Sequence, residues 1–155
     1  MKRIVIYILI MAAVLSVPLE RTDVADLHPV QTVALYKTQN GYRIETDTQD
    51  FGVGDTIDTA YNNLIETTSG IIYLDTADFL LVFDDAADAV QEMGKYLKKS
   101  VRICGAVGQG DLKAVSRYLS VQGGLQPLSK WKSGQKLPIL DCRKDRINFL
   151  LKNVK

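Results

Sequence analysis

The sequence predicts an α/β domain, with an α+β arrangement as the alternative. Three observations carry this expectation. A helical apolar period at Ile57, Ala60, Tyr61, Leu64 and Ile65 leads directly into strand-like apolar runs. Strand and helix patterns then alternate through the middle of the chain, and a hairpin signal stands at each end of that alternation.

Taken in order, residues 1–18 have the make-up of a targeting segment, because Lys2 and Arg3 precede an uninterrupted apolar run over residues 4–17. That length suits a signal-peptide core and falls short of the roughly 20 residues of a full span. No Ala-x-Ala spacing marks a cleavage point, so a cleaved signal peptide and a retained membrane anchor are both open. In either case the remainder is expected outside the cytoplasmic membrane. Residues 19–28 read as a charged connector and 29–155 as one globular domain, including a mixed sheet, three helices and a hairpin at each end.

Within that domain, Val33, Leu35 and Lys37 alternate with Ala34 and Tyr36, and Tyr42, Ile44 and Thr46 alternate beyond Asn40-Gly41. Asn-Gly between alternating runs predicts a hairpin with both turn residues at positive φ. The helix that follows has Asp55 or Thr56 to cap its first turn, Asp58 near the positive end of its dipole, and Gly70 to close its last turn. Residues 71–73 and, after a polar break, 79–83 then form a nearly continuous apolar run, as in strands covered on both faces. A second helix is expected from an Asp84 or Asp85 cap through Ala86, Ala89, Val90, Met93 and Leu97, with Lys98 and Lys99 at its negative end.

Residues 101–107 read as the next strand. Gly108-Gln109-Gly110-Asp111 opens a third helix with Leu112, Val115, Tyr118 and Leu119 on one side, and Gly123-Gly124 stops it. After a loop holding Pro127 and Trp131, strands are expected at 137–142 and 146–151 with a turn between them, and Pro138 predicts that the first begins at a sheet edge.

A net charge of +1 gives no reason to expect nucleic acid as a partner, but the charge is unevenly spread. Residues 47–92 contain eleven carboxylates and no Lys or Arg, whereas Lys95, Lys98, Lys99 and Arg102 begin a basic stretch that later includes Lys130, Lys132, Lys136, Arg143, Lys144 and Arg146. Complementary faces of one domain explain this; a basic face towards anionic lipid or a partner is the sharper alternative.

Motifs for chemistry are weak. Cys104 sits in an apolar strand pattern and reads as a core residue, although it and Cys142 are able to pair in an oxidising compartment. His28 has no second metal ligand nearby in sequence, so no metal or cofactor is expected. The Gly-x-Gly-Asp stretches at 52–55 and 108–111 each precede a helix, yet neither continues into the Lys-Ser/Thr of a phosphate-binding loop. Each puts an aspartate where an anion would sit, so helix capping explains both. Ser69, Ser116 and Ser129 lack a nucleophile elbow and a base. Candidate interaction residues are the acidic strand ends Asp75, Asp78, Asp84 and Asp85, and Trp131 with Lys130 and Lys132, which together have the make-up of a stacking or membrane-interface site, although such a tryptophan is more often a partly buried anchor for its loop.

Several groups of residues also follow a known order. Arg21, Asp23, Val24, Asp26 and Leu27 open the fold; Gly54, Thr56, Ile57 and Ala60 begin a helix; Ser69, Tyr73 and the apolar residues 79–82 follow. In these the chain resembles the Ger(x)C family, the C-subunit lipoproteins of spore germinant receptors, over roughly residues 20–107, which corresponds to that family's N-terminal domain. Pro18 stands where the family carries its lipid-bearing cysteine, Leu19-Glu20 replace Trp-Asp, and Asp75-Thr76 replace Gly-His. The resemblance implies an accessory role in spore germination or spore-envelope assembly. With the leader-like N-terminus it gives the expected function: a non-enzymatic, extracytoplasmic interaction domain, membrane-anchored or secreted, with a protein partner at the membrane or spore envelope. The alternative is a small secreted ligand-binding protein or hydrolase using the acidic strand ends.

Overall fold

The structure is a computed structural model that describes residues 6–7, 27–83, 86–143 and 147–150. The targeting segment, apart from Ile6 and Tyr7, most of the connector, and Asp84 and Asp85 lie outside the described residues.

The fold is α/β, with a seven-stranded mixed sheet at its centre. Its strands are β2 (Thr32–Thr38), β3 (Gly41–Thr46), β4 (Phe51–Gly54), β6 (Phe79–Phe83), β7 (Arg102–Val107), β8 (Ile139–Asp141) and β9 (Asn148–Phe149). They run in the order β4-β3-β2-β6-β7-β8-β9; β2, β6, β7 and β8 are parallel, and the strands beyond them at either end pair antiparallel. The all-apolar β6 is the central strand, and every one of its residues is buried, as an unbroken apolar run demands. A second, two-stranded sheet pairs β1 (Leu27–Pro29) in parallel with β5 (Ile71–Tyr73), so the end of the expected connector is already a strand.

Side-chain alternation divides the core into two layers. Val33, Leu35, Ile44, Leu80, Val82 and Ile103 pack on one face with α1 (Ile57–Thr67) and the short α2 (Val90–Met93). Ala34, Leu81, Cys104, Ala106 and Leu140 pack on the other with α3 (Leu112–Val121). Because strand side chains alternate, β6 serves both layers: Leu80 and Val82 face one, Phe79, Leu81 and Phe83 the other.

The first helix starts as its caps dictate. The Thr56 hydroxyl accepts from the Thr59 N–H (3.1 Å) while the Thr59 hydroxyl accepts from the Thr56 N–H (2.9 Å). It ends differently from the sequence expectation. Gly70 is not in the left-handed region; Thr68 is the extended C-cap, and the Thr67 and Thr68 hydroxyls donate to the carbonyls of Asn63 (2.8 Å) and Leu64 (2.7 Å). The Leu64 carbonyl also accepts from the Thr68 N–H (3.2 Å), so the hydroxyls act as second donors at the last turn, and the extended backbone of Thr68 ends the helix without a glycine.

Other expectations are corrected too. Thr38 pairs with Gly41, so the hairpin turn is Gln39-Asn40, and Gly41 is the first strand residue, at φ 144°. Residues 71–73 and 79–83 belong to separate sheets, divided by a 3-10 turn at Leu74–Thr76. The second helix is a 3-10 turn, Ala86–Ala89, running into the single turn of α2 and ending at Gly94. Leu97 is buried beyond it, and Tyr96 ties this segment to α1 by stacking on Tyr61 (4.0 Å) and donating to Asp58 (2.6 Å). Pro138 does not mark an edge: β9 covers β8, and the Pro138 carbonyl accepts from the Gly105 N–H (2.9 Å).

The strand β4 was hidden in a stretch that looked like a glycine loop. A Cβ on Gly52 would lie 2.2 Å from the Ala60 carbonyl oxygen, and one on Gly54 2.4 Å from the Ala60 nitrogen. These glycines let the α1 backbone lie directly on the strand. The outer edge of β4 is also protected, since the Asn63 side-chain oxygen accepts from the Val53 N–H (3.0 Å).

Candidate functional site

Helices cover both faces of the sheet except at one end. On the α3 side, β3 and β4 present Arg43, Glu45, Phe51 and Val53, with Arg43 opposite Val53 and Glu45 opposite Phe51. Phe51 and Val53 are about half exposed, at 49% and 48%. The two glycines of β4 face α1, so the intervening Phe51 and Val53 must face away from it. Arg43 lies over the Phe51 ring at 4.6 Å and pairs with Glu45 at 3.0 Å, while its Nε has no hydrogen-bond partner. The result is an open shelf with a polar floor and an apolar outer rim.

A furrow runs between this shelf and the flank of α3. It consists of three adjoining hollows of about 420, 440 and 540 Å³. The first, at the carboxyl ends of the parallel strands, is lined by Tyr36, Lys37, Thr38, Arg43, Glu45, Gln109 and Gly110. The second shares Glu45, Gln109 and Gly110 with it, and shares Asp47 and Gln49 with the third. Tyr36 stacks on Phe83 at 4.3 Å, and Lys37 pairs with Asp88 at 2.7 Å. Asp88 also accepts from Tyr42 (3.3 Å); the hydrogen bond from Lys37 holds its carboxyl below the usual carboxylate range. Desolvation, reinforced by Asp88, pushes the Tyr42 phenol up.

The 108–111 loop at the head of the furrow has its glycines for steric reasons. Gly108 is at φ 86°, and a Cβ on Gly110 would sit 1.8 Å from the Cys142 carbonyl oxygen. Asp111 caps α3, accepting from the Lys113 N–H at 3.0 Å. Next to the loop, Arg143 donates through Nε to both Asp141 oxygens (2.9 and 3.0 Å), which lowers the Asp141 carboxyl and raises the guanidinium.

The residues singled out from sequence do not converge. Asp75 lies in the 3-10 turn before β6, and Asp78 stands at the amino end of that strand, exposed and 3.4 Å from Lys98. Asp84 and Asp85 lie outside the described residues. Trp131 is in the core, 9% exposed, with Lys130 and Lys132 in solvent on either side. Its ring is therefore a loop anchor, not an exposed stacking surface. His28 is in β1, 3.7 Å from Asp50. Among the described residues no group of three His, Cys, Asp or Glu side chains converges as a metal site, and no helix is long and apolar enough to cross a membrane.

Sequence reasoning missed both the shelf and the furrow. The signal for the shelf was present in Phe51-Gly52-Val53-Gly54, where apolar residues alternate with glycines at the two-residue period of a strand. Lys113, Ser116 and Arg117 on the furrow wall also had a signal, their i, i+3, i+4 spacing on one helix side. Comparison with family models, curated protein sequences and solved structures finds no significant match.

Proposed function

We propose that this chain is a non-enzymatic accessory domain, extracytoplasmic and held at a membrane surface, that docks a protein partner on the β3–β4 shelf. The observation that carries the proposal is the uncovered pair Phe51 and Val53 beside the Arg43–Glu45 pair. Aromatic and arginine side chains ringed by polar groups are the usual composition of a protein-binding patch. The flat, open character of the shelf suits a macromolecule better than an enclosed substrate.

The leader-like residues 1–18 support the extracytoplasmic, membrane-held part of the proposal. The resemblance of roughly residues 20–107 to the Ger(x)C N-terminal domain supports a partner in a spore germination or spore-envelope assembly. The test is recovery of partners from native membranes with the full-length chain and with a Phe51→Asp/Val53→Asp variant. Loss of a specific co-purifying protein with folding intact supports docking on the shelf. An unchanged set of partners contradicts it.

A further inference from the structure

The largest of the three hollows has a cationic wall to which the shelf gives no role. It is lined by Pro29, Gln31, Asp47, Thr48, Gln49, Lys113, Ser116 and Arg117, and encloses about 540 Å³. Among the described residues, neither the Lys113 nor the Arg117 side chain forms an ion pair or a hydrogen bond, although four other Lys and Arg side chains each pair with a carboxylate. Between these two cations the Ser116 hydroxyl is buried, 2% exposed, and bonds to the Gln31 side-chain oxygen at 3.1 Å. Opposing negative charge comes from Asp47, one oxygen of which accepts from the Gln31 N–H (3.1 Å). Asp50, behind Thr48, accepts from the Thr48 hydroxyl (2.6 Å) and lies near His28.

We propose that this hollow binds the phosphate ester of a small polyol, with Lys113 and Arg117 on the phosphate. Two cations one helical turn apart present donors to several oxygens of one anion, and bonds of that kind are the strong ones. The volume exceeds what a bare phosphate fills, water's own share of liquid being about 30 Å³. The neutral side chains of Gln31, Thr48 and Gln49 supply polar contacts for hydroxyls on the remainder. A glycerol phosphate fits this chemistry either as a free metabolite or as an anionic lipid headgroup. Pro29 on the rim bears on the second source. Ten residue steps separate Val17 from Leu27 and span at most about 35 Å, so the hollow stays close to any bilayer that holds residues 4–17.

The test uses the full-length chain, in zwitterionic micelles with glycerol 3-phosphate and in nanodiscs of phosphatidylcholine with or without phosphatidylglycerol. Backbone amide shifts at residues 113–117 provide the readout. Saturable shifts with free glycerol 3-phosphate assign a soluble source; shifts only with phosphatidylglycerol assign the headgroup. In either case Lys113→Gln and Arg117→Gln are expected to weaken binding about tenfold each, and Arg117→Lys to retain most of it. Both glutamine changes are at exposed positions, and unchanged amide spectra elsewhere verify folding. No response to either probe, or equal affinity in the double glutamine variant, overturns the proposal.

Discussion

Gly52 and Ala60 are held in backbone contact: a Cβ on the glycine would lie 2.2 Å from the alanine carbonyl oxygen. That approach seats α1 on β4, and the strand's alternation then turns Phe51 and Val53 to the opposite face. The exposed shelf is thus a consequence of how tightly the other face is packed. Gly52→Ala is expected to cost about 1–3 kcal/mol through overpacking against backbone that has little room to yield. Urea melts measure this, and a change near zero contradicts the contact.

Gly41 should behave alike, although the Asn-Gly signal gives it only a turn role. It is at φ 144°, and its Cβ would come within 2.2 Å of the Gly54 carbonyl oxygen. Gly41→Ala therefore combines backbone strain with a clash and should destabilise at least as much as Gly52→Ala. Equal stability of Gly41→Ala and wild type in the same melts would contradict this.

The fold was readable where a residue's role was local or periodic. The Thr56 cap, the α1 face of Ile57, Ala60 and Leu64, the central strand β6 and the Asp111-capped α3 all follow from spacing. What escaped depended on how packed elements approach one another. Gly52 and Gly54 look like loop residues until α1 lies on them, and the need for Gly110 shows only once the Cys142 carbonyl occupies the space its Cβ would take. Trp131 takes the buried loop-anchor role that is the commoner one for such a tryptophan, and the flanking lysines do not turn its ring into a surface site. The acidic candidates share a composition and a place at strand ends, and neither holds information about whether side chains meet.

Core substitutions on the two faces should be costly independently. Leu64 belongs to the α1 layer and Leu81 to the α3 layer, and both are fully buried. Leu64→Ala and Leu81→Ala are each expected to cost about 2–5 kcal/mol, through lost burial and the cavity left behind. Denaturant midpoints of the single variants and the double variant check the values and their near-additivity.

Cys104 and Cys142 should remain thiols even in an oxidising compartment. Both are buried and free on the α3 side of the sheet. Cys104 precedes the paired Gly105↔Ile139, and Cys142 follows Val107↔Asp141. They are therefore about four residues apart along adjacent strands, roughly 13 Å and too far for a disulfide. Alkylation after denaturation without reductant should label two thiols, and labelling of neither contradicts this register.

Those thiols also give stability a pH dependence. Burial pushes the Cys142 thiol up to about 12, with Asp141 adding to it, and burial raises Cys104 as well. A pKa raised on folding stabilises the protein fully below the ordinary thiol value near 9.0 and loses that contribution as pH rises through the folded value. Melting temperature should fall between about pH 9 and 12, and less steeply in Cys142→Ala.

Docking of a protein partner on the β3–β4 shelf, as proposed, brings Phe51 and Val53 against that partner. Site-specific photo-crosslinking in native cells tests it most directly, with the crosslinker placed in turn at Phe51, at Val53 and at Val121, a 77% exposed position on α3 away from the shelf. The same discrete membrane-fraction adduct is expected from Phe51 and Val53, and none from Val121. No adduct from either shelf position, or one equally strong from Val121, would contradict it.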